Sequence, residues 1–585
     1  MIWEKSRRNG RILLNCTAGV AGLLLAGTKA WGQANMLGNP GFENPVLAPN
    51  TDQPMQSTPG GAPVSFWEGW NNWNFPYSAY YDDNIPTHGG NQVGKTYGGM
   101  TYPGNGPNAG IYQPVPANPG DSYTATGWFV NSSGNGDIDQ LNNNETDDVR
   151  MIFDSAANGT GNTLATDVTP TPLTEYAPTD IWTQLGVTGV APAGTVSLVW
   201  MAFFSNPNGS GGALYVDDAN LGYSPLIWSN LGGTGDGATW DVNNNQNWTD
   251  GTNEALFPNG APVTFNDTNN GHYSVNITST VQPWSTTFNA TGNYTLSGTG
   301  GIGGTGSLTQ SGSGTVTLST ANTYSGGTFV TNGTLLIKPT STPLTTSALA
   351  PGSVSITGGV LKLAPGVSGG SGPAATSSVN LTSLTIAGNG VLDVGNNHII
   401  ITYGASDPIT TIAGYIASGY NAGHWNGPGI ISSAAQIKTN GLLYGVGYAD
   451  AKDNVVSGLA SGQIEVAYTL LGDANLDGLV NGSDFNILAA NFNQSITGWD
   501  QGDFNYDGLV NASDFNELAA NFNQGVSGAA STGDVAALDA FAVANGLSLP
   551  TSGVPEPASA ALLLVGAASL LSRRSRGRAG SALKG

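Results

Sequence analysis

The sequence contains almost no cysteine. Its one cysteine, Cys16, lies in an apolar stretch near the start of the 585-residue chain. Disulfides and thiol chemistry are therefore excluded for the rest of the chain, and a stable fold has to depend on sheet packing and on other cross-links such as metal ions. A chain of this length has room for three or four domains.

Positive charge is scarce as well. Lys and Arg number 16 against 39 Asp and Glu, and ten of the 16 lie in the first 29 or the last 13 residues. No arginine occurs between Arg150 and Arg573. An acidic body of this kind excludes nucleic acid as a partner and suits a calcium-containing extracellular setting.

Charged residues make up only 9% of the chain, whereas glycine contributes 86 residues. This balance favours turns and β-structure over helical bundles, and 39% apolar content with 14 Trp argues against disorder. The sequence therefore predicts a mainly β protein. We expect an N-terminal β-sandwich, a central parallel β-solenoid, a small α-helical pair and a C-terminal apolar helix.

Long apolar runs are confined to the two ends. The first, residues 12–25, follows a basic start and precedes small residues at Gly32 and Ala34. This pattern predicts a secretory signal over residues 1–34, cleaved after Ala34. A membrane anchor is the alternative, which the short run disfavours.

The second run, residues 558–571, lies between Val-Pro-Glu-Pro at 554–557 and an arginine cluster at 573–578. This order resembles the PEP-CTERM sorting signal of Gram-negative bacteria, here over residues 553–580. The resemblance implies a tail in transient contact with the membrane, an exosortase that processes it, and export to the cell surface or the extracellular matrix. A plain membrane anchor is the alternative.

Residues 35–223 alternate apolar and polar residues between turn clusters, which predicts an antiparallel β-sandwich. The segments Asn-Pro-Gly-Phe-Glu at 39–43 and ALYVDDANL at 213–221 resemble the galactose-binding-like jelly rolls of carbohydrate-binding modules. That resemblance implies a structural calcium held by Glu43 and by Asp217 or Asp218. Alternation places Asp217 opposite Leu214 and Val216 but does not choose between the two aspartates.

A sugar platform needs aromatic rings beside amides. Aromatic residues cluster among asparagines in the first domain, and the candidates for stacking on a carbohydrate are Trp67, Trp70, Trp73 and Tyr77. Aromatic residues of a sandwich are more often part of its core, so burial is the alternative for each ring.

Residues 224–345 are rich in Gly, Thr, Ser and Asn, with short apolar segments such as GTVTL and NGTLLI between turns. Such short rungs predict a parallel β-solenoid, and the stretch resembles the autotransporter-associated β-strand repeat of bacterial surface proteins. We expect weaker rungs and an irregular cap over 346–466, and a linker with a short helix near 535–547 over 526–552.

Residues 472–494 and 502–524 are near-copies, identical at 19 of 23 positions. Each opens with D-x-N-x-D-G-x-V-N-x-x-D, a loop whose oxygen donors suit calcium and whose lack of His and Cys disfavours zinc. The predicted ligands are Asp473, Asn475, Asp477, the Leu479 carbonyl, Asn481 and Asp484, then Asp503, Asn505, Asp507, the Leu509 carbonyl, Asn511 and Asp514. An apolar helical stripe follows each loop.

This pair resembles a type I dockerin, the calcium-dependent module that docks onto cohesin domains, over residues 467–525. The resemblance implies bound calcium and a cohesin-like partner. Loop positions 10 and 11 usually help to select that partner, and here they are the featureless pairs Gly482–Ser483 and Ala512–Ser513. An acidic turn repeated without metal is the alternative.

No catalytic motif stands out. A polysaccharide lyase needs a basic residue beside acidic ligands and a hydrolase needs paired carboxylates, but the lysines are scattered and the four His lie far apart. The sequence therefore predicts a non-catalytic, secreted surface or matrix protein that binds calcium and has a role in adhesion or scaffolding in exopolysaccharide. The alternative is an extracellular polysaccharide-degrading enzyme with accessory binding modules.

Overall fold

The computed structural model describes residues 35–43, 52–55, 67–70, 77–80, 87–90, 92–97, 108–133, 140–209, 211–230, 232–339, 348–368, 379–436, 442–496, 498–525 and 531–548. The predicted signal, the predicted sorting tail with its apolar helix, and Trp73 lie outside these residues. The described helices include none that is long and apolar enough to span a membrane.

The first domain is a sandwich of two antiparallel sheets. Its strands are β1 (Asp52–Met55), β2 (Glu68–Trp70), β3 (Tyr77–Tyr80), β4 (Val93–Tyr97), β5 (Ala109–Pro116), β6 (Ser122–Phe129), β7 (Thr146–Ala156), β8 (Thr160–Val168), β9 (Leu173–Thr174), β10 (Thr183–Val190), β11 (Ser197–Ser205) and β12 (Ala213–Tyr223). One sheet has the order β1-β3-β4-β12-β6-β10, and the other has the order β2-β5-β11-β7-β8 with β9 beside β7. The inward faces of both sheets form one apolar core, which confirms the predicted sandwich.

A parallel solenoid follows the sandwich. Its first elements are β13 (Leu226–Trp228), β14 (Thr239–Trp240), β15 (Trp248–Thr249), β16 (Glu254–Ala255), β17 (Pro262–Phe265), β18 (Ser274–Ile277), β19 (Ser285–Phe288), β20 (Tyr294–Ser297), β21 (Ser307–Gln310), β22 (Thr315–Leu318), β23 (Thr328–Val330) and β24 (Thr334–Ile337). It continues as β25 (Gly352–Ile356), β26 (Val360–Leu363), β27 (Val379–Ile386), β28 (Val391–Asp393), β29 (His398–Thr402), α1 (Ile409–Tyr420), β30 (Gly429–Ile431), β31 (Tyr444–Asp450) and β32 (Gln463–Leu470).

Each coil contributes one strand to each of two facing sheets. Odd-numbered strands from β17 to β29 pair in parallel on one side, and β14 pairs in parallel with the even-numbered strands from β18 to β30 on the other. Alternation along each short strand sends every second side chain into the space between the sheets, so one apolar core runs through the coils. The regular rungs reach β30, and the antiparallel strands β31 and β32 complete the end of the larger sheet.

Aromatic side chains fill the first coils. Phe265 stacks on Phe288 of the next coil at a centroid distance of 4.7 Å. Trp228, Trp240 and Trp248, all buried, contact Phe265 at centroid distances of 5.4–5.7 Å. These rings cover the exposed end that an open stack of strands would otherwise leave.

The paired repeats form the last compact unit. Its elements are β33 (Leu479–Val480), α2 (Gly482–Asn491), α3 (Ala512–Asn521), β34 (Gln524–Gly525) and α4 (Thr532–Asn545), with short 3₁₀ turns at Trp499–Gln501 here and at Ala157–Gly159 and Ala451–Asp453 earlier in the chain. The buried residues of this unit belong to the same apolar core as the solenoid. The repeat pair is therefore packed onto the end of the solenoid.

We predict that Phe265→Ala destabilises the solenoid by about 3–5 kcal/mol, because it removes a buried ring from the centre of the aromatic cluster and leaves a cavity. Chemical denaturation of the full chain measures this loss. Thr264→Ala, at the neighbouring outward-facing position, is the control and should change stability by less than about 0.5 kcal/mol. Equal effects of the two substitutions would contradict the assigned orientation of β17.

Candidate metal-binding loops

The first repeat folds its acidic loop around Asp473. One carboxylate oxygen of Asp473 accepts a hydrogen bond from the Asp477 backbone N–H at 3.1 Å, and the other accepts one from Gly478 N–H at 2.9 Å. Thr469 also donates its hydroxyl to Asp473. At the end of the loop, Asp484 accepts from Ala474 N–H and Asn481 N–H, each at 2.9 Å. Backbone N–H groups of the loop thus hold the carboxylates of its first and twelfth residues on the inside of the loop.

The second repeat reproduces this arrangement. Asp503 accepts from Asp507 N–H at 3.1 Å and from Gly508 N–H at 3.0 Å. Asp514 accepts from Phe504 N–H at 2.8 Å and from Asn511 N–H at 2.9 Å. Because 19 of 23 residues are shared, the same local donors and acceptors recur and the two loops fold alike.

Close backbone contacts relate the two repeats by an approximate two-fold axis. Gly472 lies against Leu518 of α3, where an added Cβ would come within 2.6 Å of the Leu518 Cα, and Gly502 lies against Leu488 of α2 in the same way at 3.1 Å. Both glycines have a φ near +100°. A side chain at either position would force the helix of the other repeat away.

Both loops bury negative charge without a cationic partner. Asp473, Asp484, Asp503 and Asp514 are all at most 1% exposed, and none of the ion pairs among the described residues involves them. Burial, together with neighbouring carboxylates, raises the pKa of Asp484 and of Asp503 to about 7, and it raises the pKa of Asp473 well above its ordinary value. A bound cation would supply the missing compensation.

The donor chemistry fits calcium. Each loop presents carboxylate oxygens, amide oxygens and a backbone carbonyl, which are the hard donors that Ca²⁺ prefers. Among the described residues, no three His, Cys, Asp or Glu side chains converge as a metal centre by themselves. A calcium ion in these loops would therefore depend on Asn475, Asn481 and the Leu479 carbonyl, and on their equivalents in the second loop, as well as on the aspartates.

Glu517 was not singled out in the sequence. It occupies the position of Ile487 in the first repeat and lies near Asp503, Asp507 and Asp514, and burial followed by these charges raises its pKa to about 8. One of its carboxylate oxygens is buried without a hydrogen-bond partner. The second loop thus has an acidic neighbour that the first loop lacks. Comparison of the two repeats could have found it, because Glu517 is one of the four positions at which they differ.

Polar and aromatic contacts fix the repeat pair to the end of the solenoid. Asn521 of α3 donates its amide to the carbonyls of Leu443 and Leu471, both at 2.8 Å, and accepts from Leu443 N–H at 3.3 Å. Tyr506 of the second loop donates to the Val446 carbonyl at 3.0 Å. Trp499 is fully buried and donates its indole N–H to the Asp473 carbonyl at 2.7 Å. Each of these contacts links a metal loop or its helix to the solenoid or to the other repeat.

Helix α4 covers the other side of the pair. Phe541 makes ring contacts with Phe485, Phe492 and Phe515 at centroid distances of 5.0–5.7 Å. Asp534 lies directly against Gly482, where a Cβ would overlap its carboxylate. Loop position 10 of the first repeat, which the dockerin resemblance associates with partner choice, is therefore in contact with this chain's own helix.

The structure brings together the acidic residues predicted in the first domain. Asp217 is buried and accepts from Gly89 N–H at 2.9 Å, whereas Asp218 contacts His88 Nδ1 at 2.8 Å. Glu43 accepts from Gln92 N–H at 2.8 Å, so the three carboxylates contact His88, Gly89 and Gln92. Burial, with Asp218 and Glu43 nearby, raises the pKa of Asp217 to about 7. A register shift between Asp217 and Asn220 interrupts the alternation, which explains why alternation could not choose between the aspartates.

Of the four aromatic residues proposed for sugar stacking, the structure describes the side chain of only one. Trp67 is 1% exposed, stacks on Phe42 at 4.8 Å and donates its indole N–H to the Asn39 carbonyl. This ring is part of the core and is not available to a sugar. Trp70 and Tyr77 begin or end strands β2 and β3, but their side chains lie outside the described residues, as does Trp73.

One family model matches the chain, the passenger-associated-transport-repeat, over residues 308–337. These residues run from β21 to β24, so the predicted autotransporter-associated repeat is confirmed there. No curated protein sequence matches the chain.

Three solved structures show partial similarity. A Stig cyclase from Fischerella sp. TAU is 17% identical, with 32% of this chain and 95% of that chain covered and a TM-score of 0.24. The module TmCBM61 in complex with β-1,4-galactotriose is 13% identical, with 32% and 98% covered and a TM-score of 0.20. An adhesin domain of Lys-gingipain from Porphyromonas gingivalis W83 is 14% identical, with 30% and 98% covered and a TM-score of 0.19. Similarity at this level says nothing about what this chain binds.

We predict that in a chelator the repeat pair is more stable at about pH 5 than at about pH 8. Because the pKa values of Asp484 and Asp503 are raised from 3.8 to about 7, the folded pair binds more protons than the unfolded chain between these values. Its free energy of unfolding therefore falls as the pH rises through that window. Thermal melting of the full chain, followed by helical circular dichroism, measures the effect.

Excess calcium should reverse this slope, because the ligands must be deprotonated to bind the ion. Asp484→Asn with Asp503→Asn is the control and should remove the part of the pH dependence that these two carboxylates supply in chelator. Stability that rises with pH in chelator would contradict the burial of these carboxylates.

We also predict that Asn521→Ala lowers the stability of the repeat pair by about 1–3 kcal/mol, since it leaves the Leu443 N–H and the Leu471 carbonyl without their partner. Asn516→Ala, at an exposed position on the same helix, is the control and should change little. Hydrogen exchange of α3 in the two variants separates a local effect from a global one. Equal exchange rates would show that Asn521 does not join the pair to the solenoid.

Proposed function

We propose that the chain is a non-catalytic, calcium-binding structural protein of the bacterial cell surface or extracellular matrix. In this proposal the solenoid is a rigid spacer, the first sandwich is a terminal domain, and the paired loops bind calcium at the other end. The match to a passenger-associated repeat supports a surface location.

The observation that carries the proposal is the buried, uncompensated charge of the two loops. Four aspartates at loop positions 1 and 12 are removed from water, and the described residues offer no lysine or arginine partner. Such an arrangement is costly unless a cation binds. Calcium would therefore stabilise the pair, and the pair would then hold the end of the solenoid through Asn521 and Tyr506.

The contacts of the repeat pair favour a structural role over a docking role. One side of the pair packs on the solenoid and another lies under α4. A cohesin-like partner would have to use the remaining surface or displace α4. Calcium binding is thus the primary function proposed for this module, and cohesin docking remains a prediction from resemblance.

An open depression on the first sandwich does not have the lining of a hydrolase site. It has a volume of about 540 Å³ and is lined by Thr124, Asp167, Val168, Pro170, Gly186, Val187 and Thr188. A hydrolase needs two carboxyl groups about 5–10 Å apart, and the lining supplies only Asp167. The lining also lacks an aromatic ring on which a sugar could stack.

Export through a signal at 1–34 and processing of the tail at 553–580 by an exosortase remain predictions. They agree with a surface location, since both segments would deliver the mature chain outside the cytoplasm. Polysaccharide binding by the first domain likewise remains a prediction, with Trp70, Trp73 and Tyr77 as its candidates.

The central experiment measures calcium on the mature chain. We expect Asp473→Ala with Asp503→Ala to lose two calcium ions per chain in equilibrium dialysis, because each substitution removes the first ligand of one loop. The repeat pair of the double variant should also melt in calcium at the temperature at which the repeat pair of the unaltered chain melts in chelator. Asp539→Ala, which removes an exposed carboxylate of α4, is the control and should retain every ion.

Unchanged melting in chelator, or an unchanged calcium count in the double variant, would defeat the calcium proposal. The enzyme alternative has its own assay. Measurable turnover of acidic or neutral polysaccharides by the mature chain would end the structural interpretation, whereas an inactive chain with calcium-dependent melting supports it.

A further inference from the structure

Three polar side chains lie buried at one end of the first sandwich. The inward face of β7 carries Val149, Met151 and Phe153, and the same alternation turns Asp147 and the preceding Glu145 inward. The pairing of Asp147 with Phe204 places Asn206 across from Glu145. Glu145, Asp147 and Asn206 are all 0% exposed.

Asp147 is the anomalous member of this group. Both of its carboxylate oxygens are buried and neither has a hydrogen-bond partner. Buried polar atoms in folded proteins are almost always paired, and an exception usually marks an ion, a water molecule or a functional group.

The surroundings add negative charge and no positive charge. Burial, followed by the charges of Asp148 and Glu145, raises the pKa of Asp147 well above its ordinary value. Arg150 on the same strand faces the other way, where it pairs with Asp148 at 2.6 Å and lies over the Phe203 ring. No protein cation among the described residues therefore compensates Asp147.

The opposite sheet lies in close contact with Glu145. Gly212, just before β12, has a φ of +101°, and a Cβ there would overlap a Glu145 carboxylate oxygen. Asn142 N–H donates to the same carboxylate at 2.8 Å. Glu145 is thus held in place beside Asp147, and only glycine permits this approach.

We infer that Glu145 and Asp147 bind a divalent cation of the calcium class at this end of the sandwich. Two inward carboxylates would balance the charge of one such ion, and an oxygen-only environment favours Ca²⁺ over transition metals. The site differs from the set formed by Glu43, Asp217 and Asp218. Gly212 and Asp217 are five residues apart on an extended strand, a separation of about 16 Å.

The test counts calcium on the mature chain with the paired loops intact. We expect Asp147→Asn to bind one calcium ion fewer per chain than the unaltered protein in equilibrium dialysis. We also expect the unfolding transition of the sandwich to lose its dependence on calcium. Asp148→Asn, the adjacent outward-facing aspartate, is the matched control and should bind the full number of ions.

An unchanged calcium count in a folded Asp147→Asn protein overturns the inference, and a gain in its stability would identify Asp147 as an uncompensated acid without metal. Glu145→Gln gives an independent reading with the same expectation. Should neither variant fold, calcium is counted on the chain that carries Asp473→Ala, Asp503→Ala and Asp217→Asn. An ion that remains there supports the site, and none overturns it. Because the paired loops are absent from that count, failure of the loop proposal remains distinguishable.

Discussion

Uncompensated negative charge is the constraint on which the rest of this molecule depends. The body of the chain offers almost no lysine or arginine, yet it buries aspartates and glutamates at several places, among them the paired loops, the segment around Asp217, and the inward face of β7. A protein with many cations could pair such groups internally. This one has to leave them protonated, hydrate them or bind metal, and the three choices differ in how stability responds to pH and to calcium. Its fold and its response to pH are therefore coupled through the same residues.

The solenoid depends on a continuous apolar core and contains little charge. Its strands are only a few residues long, so each coil buries a handful of side chains and depends on its neighbours for a complete core. The tryptophan cluster around Phe265 completes the core at one end. At the other end, α1, β31 and the repeat pair continue it, and Trp499 and Tyr506 fill the junction. The helices of the repeat pair thus act as the final layer of a β-structure.

The parts of the structure that could be predicted are those encoded locally. The metal loop from Asp473 to Asp484 can be recognised from twelve consecutive residues. Short strands such as 315–318 can be recognised from their alternation of apolar and polar residues and from the glycines beside them. The parts that could not be predicted depend on distant strands. Asp147 is unusual only because β11 and the turn at Gly212 enclose it, and Trp67 looks like a surface aromatic residue until Phe42 and Trp200 pack on it. Asp217 and Asp218 are distinguished by a bulge that no periodicity reveals. Asn521 has no signal at all in the sequence, because its partners lie 50 and 78 residues away.

The contact between α3 and the end of the solenoid has a mechanical consequence. In a stack of coils, the hydrogen bonds between strands run along the long axis, so a pulling force on the two ends separates coils one at a time, beginning at whichever end is looser. The aromatic cluster secures the first coils. At the last coil, Asn521 and Tyr506 attach a unit whose own folding would follow the calcium concentration. The resistance of the whole rod to stretching would then be set by the ion level in its surroundings, and a fall in calcium would allow the rod to unravel from one defined end.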